Sequence, residues 1–252
     1  MKYSPFHLFR IPLNLTCLLF SGVVLGQPSP TAVETYKNIH FTAIRFGPQL
    51  EDLNYMTLNE KGTPEVRRMS IPASSDSDLY SYTGPSPMVF FREETNEEGE
   101  TIRKPVTSVS IPPDTENLLI FVFISKDQSK ISVVPMRDDA KHFREGEFMF
   151  WNLSGLEVAA KISDDLIPIP FGEHRKLLPD LEPNEYYGAK FFFRDGNDQE
   201  WTRFKNSAWT YRSAQRVLMI LLPPESPEEP PRFFVRANRP PPPPEPLEKP
   251  IP

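Results

Sequence analysis

Apolar and polar residues alternate along most of this chain in short runs, the period-2 pattern of half-buried β-strands. The runs are Ile39–Phe46, Leu53–Leu58, Glu65–Ile71, Met88–Phe91, Val106–Ile111, Leu118–Ile124, Ile131–Val134, Glu147–Leu153, Glu157–Ile162, Tyr186–Phe193, Glu200–Phe204, Arg216–Leu222 and Arg232–Val235. They are rich in Phe, Val, Ile and Tyr, which suit a pleated surface. Leu118–Ile124 (LLIFVFI) and Val217–Leu222 (VLMILL) are core-like but only strand-sized. Neither approaches the roughly 20 apolar residues of a membrane span.

The breaks between runs have local causes. Lys61-Gly62-Thr63-Pro64 and Asp195-Gly196-Asn197-Asp198 are hairpin-type turns in which Gly or Asn accepts positive φ. Ser86-Pro87, Pro112-Pro113 and Glu182-Pro183-Asn184 remove ladder donors and extend the residue before each proline. One segment, Arg137–Glu145, predicts about two turns of helix, with Gly146 as its stop. Glu93–Lys104 is charged and reads as a solvated hairpin or loop. A Pro-rich break from Pro223 to Pro231 interrupts a last hairpin that Phe233, Phe234 and Val235 complete.

The two ends change the picture. Lys2 and Arg10, the apolar Leu13–Leu25 stretch and the small residue Gly26 make residues 1–26 a secretory signal peptide. Its removal takes away Cys17, the chain's only cysteine, and leaves no membrane span. Asn14-Leu15-Thr16 before Cys17 does not make a lipobox. Residues 27–36 are a polar lead-in, 37–238 the β body with a lobe boundary near 145, and 239–252 a disordered Pro-rich tail extended as polyproline II. A body without cysteine rests on an apolar core rather than disulfides, which points to a bacterial periplasm or cell surface. The chain carries 28 Lys+Arg against 34 Asp+Glu, a formal charge of −6. The leader holds basic residues only, so the exported part is more acidic still, which argues against nucleic acid as a partner.

Candidate chemistry is sparse. The histidines after the leader are His40, His142 and His174, in no zinc spacing. Asp138 and His142 would share a face of the expected helix as two ligands, short of the three a catalytic zinc takes. There is no G-x-S-x-G elbow. Asp164-Asp165 reads as a turn rather than a glycosidase pair. The 195–198 turn lacks the ligand loop of an EF-hand. Asn152-Leu153-Ser154 is a formal glycosylation sequon. No cofactor is implied. The aromatic residues crowd the second half, and Trp151, Trp201, Trp209 and Tyr211 are the candidate ligand-binding set. They would stack on sugar rings from an exposed face or fill a sandwich core.

Gly146–Ile162, Pro168–Gly172 and the stretch from Trp209-Thr210-Tyr211-Arg212 to Leu222 resemble uncharacterised exported β-rich proteins of verrucomicrobial-type bacteria. The resemblance covers about half of the exported chain. It implies a β fold and an extracytoplasmic address, with no residue roles to carry over. Together these features predict an all-β protein, an immunoglobulin-like β-sandwich or two packed β-sandwich lobes. Its expected role is an exported non-catalytic binding or structural protein of the periplasm or cell surface, with an envelope protein or a polysaccharide as partner. A carbohydrate-binding module and a hydrolase with an unrecognised site are the alternatives.

Overall fold

Strands with apolar side chains on both faces need cover on both, and four such strands, three of them apolar at nearly every position, make the middle of this molecule. The computed structural model describes residues 36–73, 75–195, 200–226 and 228–239. The leader, nearly all of the lead-in, most of the 195–198 turn and the Pro-rich tail lie outside the described residues.

The described chain forms strands and turns only. In order these are β1 (Lys37–Phe46), β2 (Leu53–Leu58), β3 (Pro64–Met69), β4 (Tyr80–Gly84), β5 (Met88–Thr95), β6 (Thr101–Val109), β7 (Asn117–Ile124), β8 (Ile131–Arg137), β9 (Phe148–Asn152), β10 (Glu157–Ile162), β11 (Asp165–Ile169), β12 (His174–Leu177), β13 (Tyr186–Arg194), β14 (Thr202–Thr210), β15 (Arg216–Leu222) and β16 (Arg232–Asn238). They build four sheets: A (β4-β1-β7-β8), B (β3-β2-β5-β6), C (β12-β9-β15-β16) and D (β11-β10-β13-β14). A and B close a first sandwich over Phe41, Tyr55, Phe90 and Ile120. C and D close a second over Phe148, Phe150, Phe191 and Met219. The protein is therefore all-β, with two packed sandwich lobes.

The second lobe repeats the topology of the first strand for strand. In each, the first and seventh strands pair in parallel and every other pair is antiparallel. Even the irregularities correspond. The ladder between the fifth and sixth strands slips after Phe90 in one lobe and after Phe191 in the other. Matching the ladders equates Phe41 with Phe148, Leu118 with Val217, Met69 with Ile169 and Tyr55 with Ala160. The spacing drifts from pair to pair because the loops differ in length, so no fixed period runs through the sequence.

The outward faces of sheets A and C meet at a seam. Ile44, Leu119, Phe121 and Met136 from A interleave with Met149, Leu218, Ile220 and Leu222 from C. Phe121 meets Trp151 edge-on at 5.6 Å, and Phe46 meets Phe234 at 5.2 Å. Alternation sorts the side chains: Leu118, Ile120 and Val122 face the first sandwich, while Leu119, Phe121 and Phe123 face the seam.

Between the lobes the chain takes two separate turns, not the two-turn helix expected over Arg137–Glu145. His142 N and Phe143 N both donate to Asp139 O at 2.9 Å, Glu147 N donates to Arg144 O at 3.2 Å, and no helical ladder joins the two turns. Helix is refused because the flanking polar groups have other partners. Asp139 Oδ1 accepts from the backbone N–H groups of Glu116 and Asn117 at 3.1 and 2.6 Å, and Asp138 N donates to Asn117 O. Gly146 sits at positive φ (+77°), and a Cβ there would stand 2.5 Å from Tyr211 Oη. Glu93–Lys104 is a hairpin arm, with ion pairs Arg103–Glu93 and Lys104–Glu94 at 3.3 and 3.4 Å.

Phe121 is fully buried at the seam. Phe121→Ala should lower unfolding stability by about 3–5 kcal/mol, read from urea melts. Val235→Ala on the exposed side of β16 should stay within about 0.5 kcal/mol.

Candidate functional site

The seam has two ends, each lined by the same strand positions. At one end β16, the eighth strand of its lobe, meets β1 and the residues leading into β4. At the other β8, again an eighth strand, meets β9 and β12, the first and fourth strands of the opposite lobe. The two ends differ in chemistry.

The first end is filled by an ionic node. Arg216, at the start of β15, is wholly buried. Its Nη1 donates to the carbonyls of Asp138 and Phe143 at 2.8 and 3.1 Å, its Nε reaches Asn238 Oδ1 at 3.3 Å, and its guanidinium lies 5.0 Å from the Phe143 ring centre. Nη2 stands 2.6 Å from Asp138 Oδ1, a charge contact rather than an aligned hydrogen bond. Arg236 Nη1 reaches both oxygens of Asp138 at 3.2 Å, while its Nε and Nη2 grip Asp76 at 2.7–2.9 Å. Two guanidiniums thus face two carboxylates drawn from both lobes and the linker. Burial pushes the Asp138 carboxyl up, and Arg236 and Arg216 pull it back. The residual pocket there is about 160 Å³.

The second end is an open cleft of about 300 Å³, with walls of Trp151, Met136, Met149, Pro112 and Pro135. Its polar groups are Arg137, His142, His174 and Lys176, and none of the described residues lining it carries a carboxylate. Alternation on β12 turns His174 and Lys176 to the cleft while Leu177 packs into the second core. The His174 ring stands edge-on to Trp151 at 6.3 Å. Arg137 donates Nη2 to Asp114 O at 2.8 Å and approaches Asp139 through Nε at 3.4 Å. His142 Nε2 is buried and has no hydrogen-bond partner among the described residues. Burial and the neighbouring Arg137 push the His142 imidazole down, toward its neutral form.

The four sequence candidates lie in four places. Trp151 lines the cleft. Trp209 packs on Tyr187, Phe191 and Phe233 at 6.0–6.3 Å. Tyr211 is buried in the second core. Trp201 is exposed under Arg194, whose guanidinium sits 4.8 Å from the ring. They form no common platform. Asp138 and His142, paired by the expected helix, point to opposite ends of the seam. The sequon residue Asn152 is wholly buried, donating to Leu156 O and Ile169 O at 2.8 Å. Among the described residues no group of three His, Cys, Asp or Glu could hold a metal, and no helix is long and apolar enough to cross a membrane. The calcium reading of the 195–198 turn falls largely outside the described residues.

Sequence reading missed Arg137, His174 and Lys176 as site residues. His174–Leu177 is too short to stand out as a strand, and three polar residues before Leu177 give no alternation to mark it. A larger groove of about 430 Å³ runs beside sheet B, bounded by Tyr36, Met56, Val89, Phe91, Pro105 and Arg103 among others. Its lining is mainly apolar and lacks the convergent polar groups that orient a ligand.

The chain matches no family model and no curated protein.

Removing one member of a buried charge pair strands the other, at about 3–5 kcal/mol. Asp138→Ala should therefore be severely destabilising in urea melts, and Asp76→Ala, whose side chain is 36% exposed, clearly less so. Glu147 gives a pH signature in the linker. Burial acts to raise its carboxyl, but the backbone N–H and guanidinium of Arg144 outweigh it and hold the group below the usual range. A carboxyl depressed on folding stabilises above its unfolded pKa and loses that contribution as pH falls through the folded value. Glu147→Gln should flatten the acid limb of a stability–pH curve measured from pH 6 to pH 2.

Proposed function

We propose that this chain is an exported, non-catalytic binding protein of the bacterial periplasm or cell surface, and that its ligand site is the open end of the seam. The observation that carries this reading is the contrast between the two ends. One is closed by four mutually neutralising charges, while the other keeps a cleft with a tryptophan wall and cationic side chains. A cleft at the junction of two lobes, apolar in its walls with a few convergent polar groups, is the usual form of a ligand site. The charged residues best placed for acid–base chemistry, Asp138 and Asp139, already have structural partners. That favours binding over hydrolysis. The signal peptide and the cysteine-free body support export.

Chemical-shift mapping of the exported chain tests the site, using neutral, acidic and basic sugars and aromatic compounds as probes. The expected result is a cluster of shifts on Met149, Trp151, His174 and Lys176. Shifts confined to the sheet B groove, around Met56 and Val89, would overturn the reading. N-terminal sequencing of the protein recovered from the periplasm or medium should start at Gln27; a Met1 start would remove the export reading.

A further inference from the structure

The cleft's chemistry goes further than its shape, and it rests on the seam being the ligand site. We propose that the open end of the seam binds a ligand that carries a carboxylate on a ring. The anion meets the cations at this end as Asp76 meets Arg236 at the other.

The closed end shows how the fold satisfies a cation at an end of the seam, where Arg236 holds the ladder position that Met136 holds at the open end. There a carboxylate from the loop before β4 forks onto the guanidinium of a β16 arginine, with three contacts of 2.7–2.9 Å. At the open end the corresponding approach is to β12. The carboxylate just before that strand, Glu173, is exposed and pairs with Arg175 instead. Asp139 has one oxygen committed to two backbone N–H groups and the other to Arg137 Nε, and Glu147, whose charge Lys176 feels, is held by the backbone N–H and guanidinium of Arg144. Among the described residues nothing accepts a hydrogen bond from Arg137 Nη1 or Lys176 Nζ. His142 Nε2, buried without a partner among the described residues, adds a third group, one that an anion satisfies when the ring carries its proton there. An unpaired buried polar atom is costly, and a charged acceptor repays that cost best.

The rest of the cleft selects what carries the anion. Trp151, Met136, Met149 and the two prolines form a wall, and His174 stands at its mouth. A ring fits there by stacking and dispersion, whereas an inorganic anion would leave the wall unused. A uronic-acid sugar and an aromatic acid share this chemistry, and the experiment separates them.

The probes are methyl β-glucuronide and benzoate, each with its neutral counterpart, methyl β-glucoside and benzamide. Binding is read on the full exported chain from the Trp151 indole N–H resonance, identified with Trp151→Phe. Either acid should shift this resonance, its neutral counterpart should not, and the tighter acid tells a sugar ring from an aromatic one. Lys176 is exposed, so Lys176→Gln leaves the fold intact. It removes one charge-assisted contact and should weaken acid binding about tenfold. Neutral probes binding as tightly as the acids would overturn the charge recognition but leave the seam as a site. Acids that shift only resonances remote from Trp151, His174 and Lys176 would overturn both. If no acid shifts any resonance, the ring-carboxylate assignment fails and the wider mapping alone judges the seam.

Discussion

Strands β1, β7, β9 and β15 carry apolar side chains on both faces, and a sheet with two apolar faces cannot leave one in water. Burial is worth roughly 25 cal/mol per Å² of apolar surface, so each sandwich has a strong reason to cover its second face. The partner available is the other lobe, whose inner sheet has the same problem. Everything else in the molecule follows from that pairing. The lobes stack through sheets A and C, sheets B and D keep the solvent, and the lobes share one hydrophobic seam.

An apolar seam between two twisted sheets leaves its ends to be finished by polar groups, because the edge strands and the loops reaching them arrive there. At one end Arg216 and Arg236 lie under Asp138 and Asp76. Buried ion pairs of this kind contribute little net stability, since desolvation offsets their attraction. They do make a slipped or rotated stacking costly, because any other arrangement strands a charge. At the opposite end Arg137 has Asp139, but Lys176 has no carboxylate in contact among the described residues, and the cleft stays open.

The fold class was legible in the chain to a useful depth. Leu53–Leu58, Glu157–Ile162 and Arg216–Leu222 are strands with the bounds their alternation implies. What escaped were β4, β11 and β12, edge strands whose short, polar or proline-bearing sequences carry little periodic signal. The helix expected at Arg137–Glu145 failed for a different reason. Its acidic start suits a first helical turn, but Asp138 and Asp139 are drawn into tertiary contacts that a local pattern does not contain. The internal repeat was hidden because Phe41 matches Phe148 while Leu118 matches Val217. Unequal loops erase the period, although each ladder keeps its register.

By itself the sequence determined most of the segments that become strands, that the core is apolar and free of disulfides, and which residues in those runs alternate inward. Those properties are local, set by side-chain period and turn chemistry. Only the tertiary structure decided that the second apolar faces bury each other, that Asp138 and His142 part to opposite ends, and that Trp151 meets His174, Lys176 and Arg137 while Trp209 and Tyr211 fill a core. The physical reason is that these outcomes depend on contacts between residues far apart in the chain, and the order of strands in a sheet is not written in the period of any one of them.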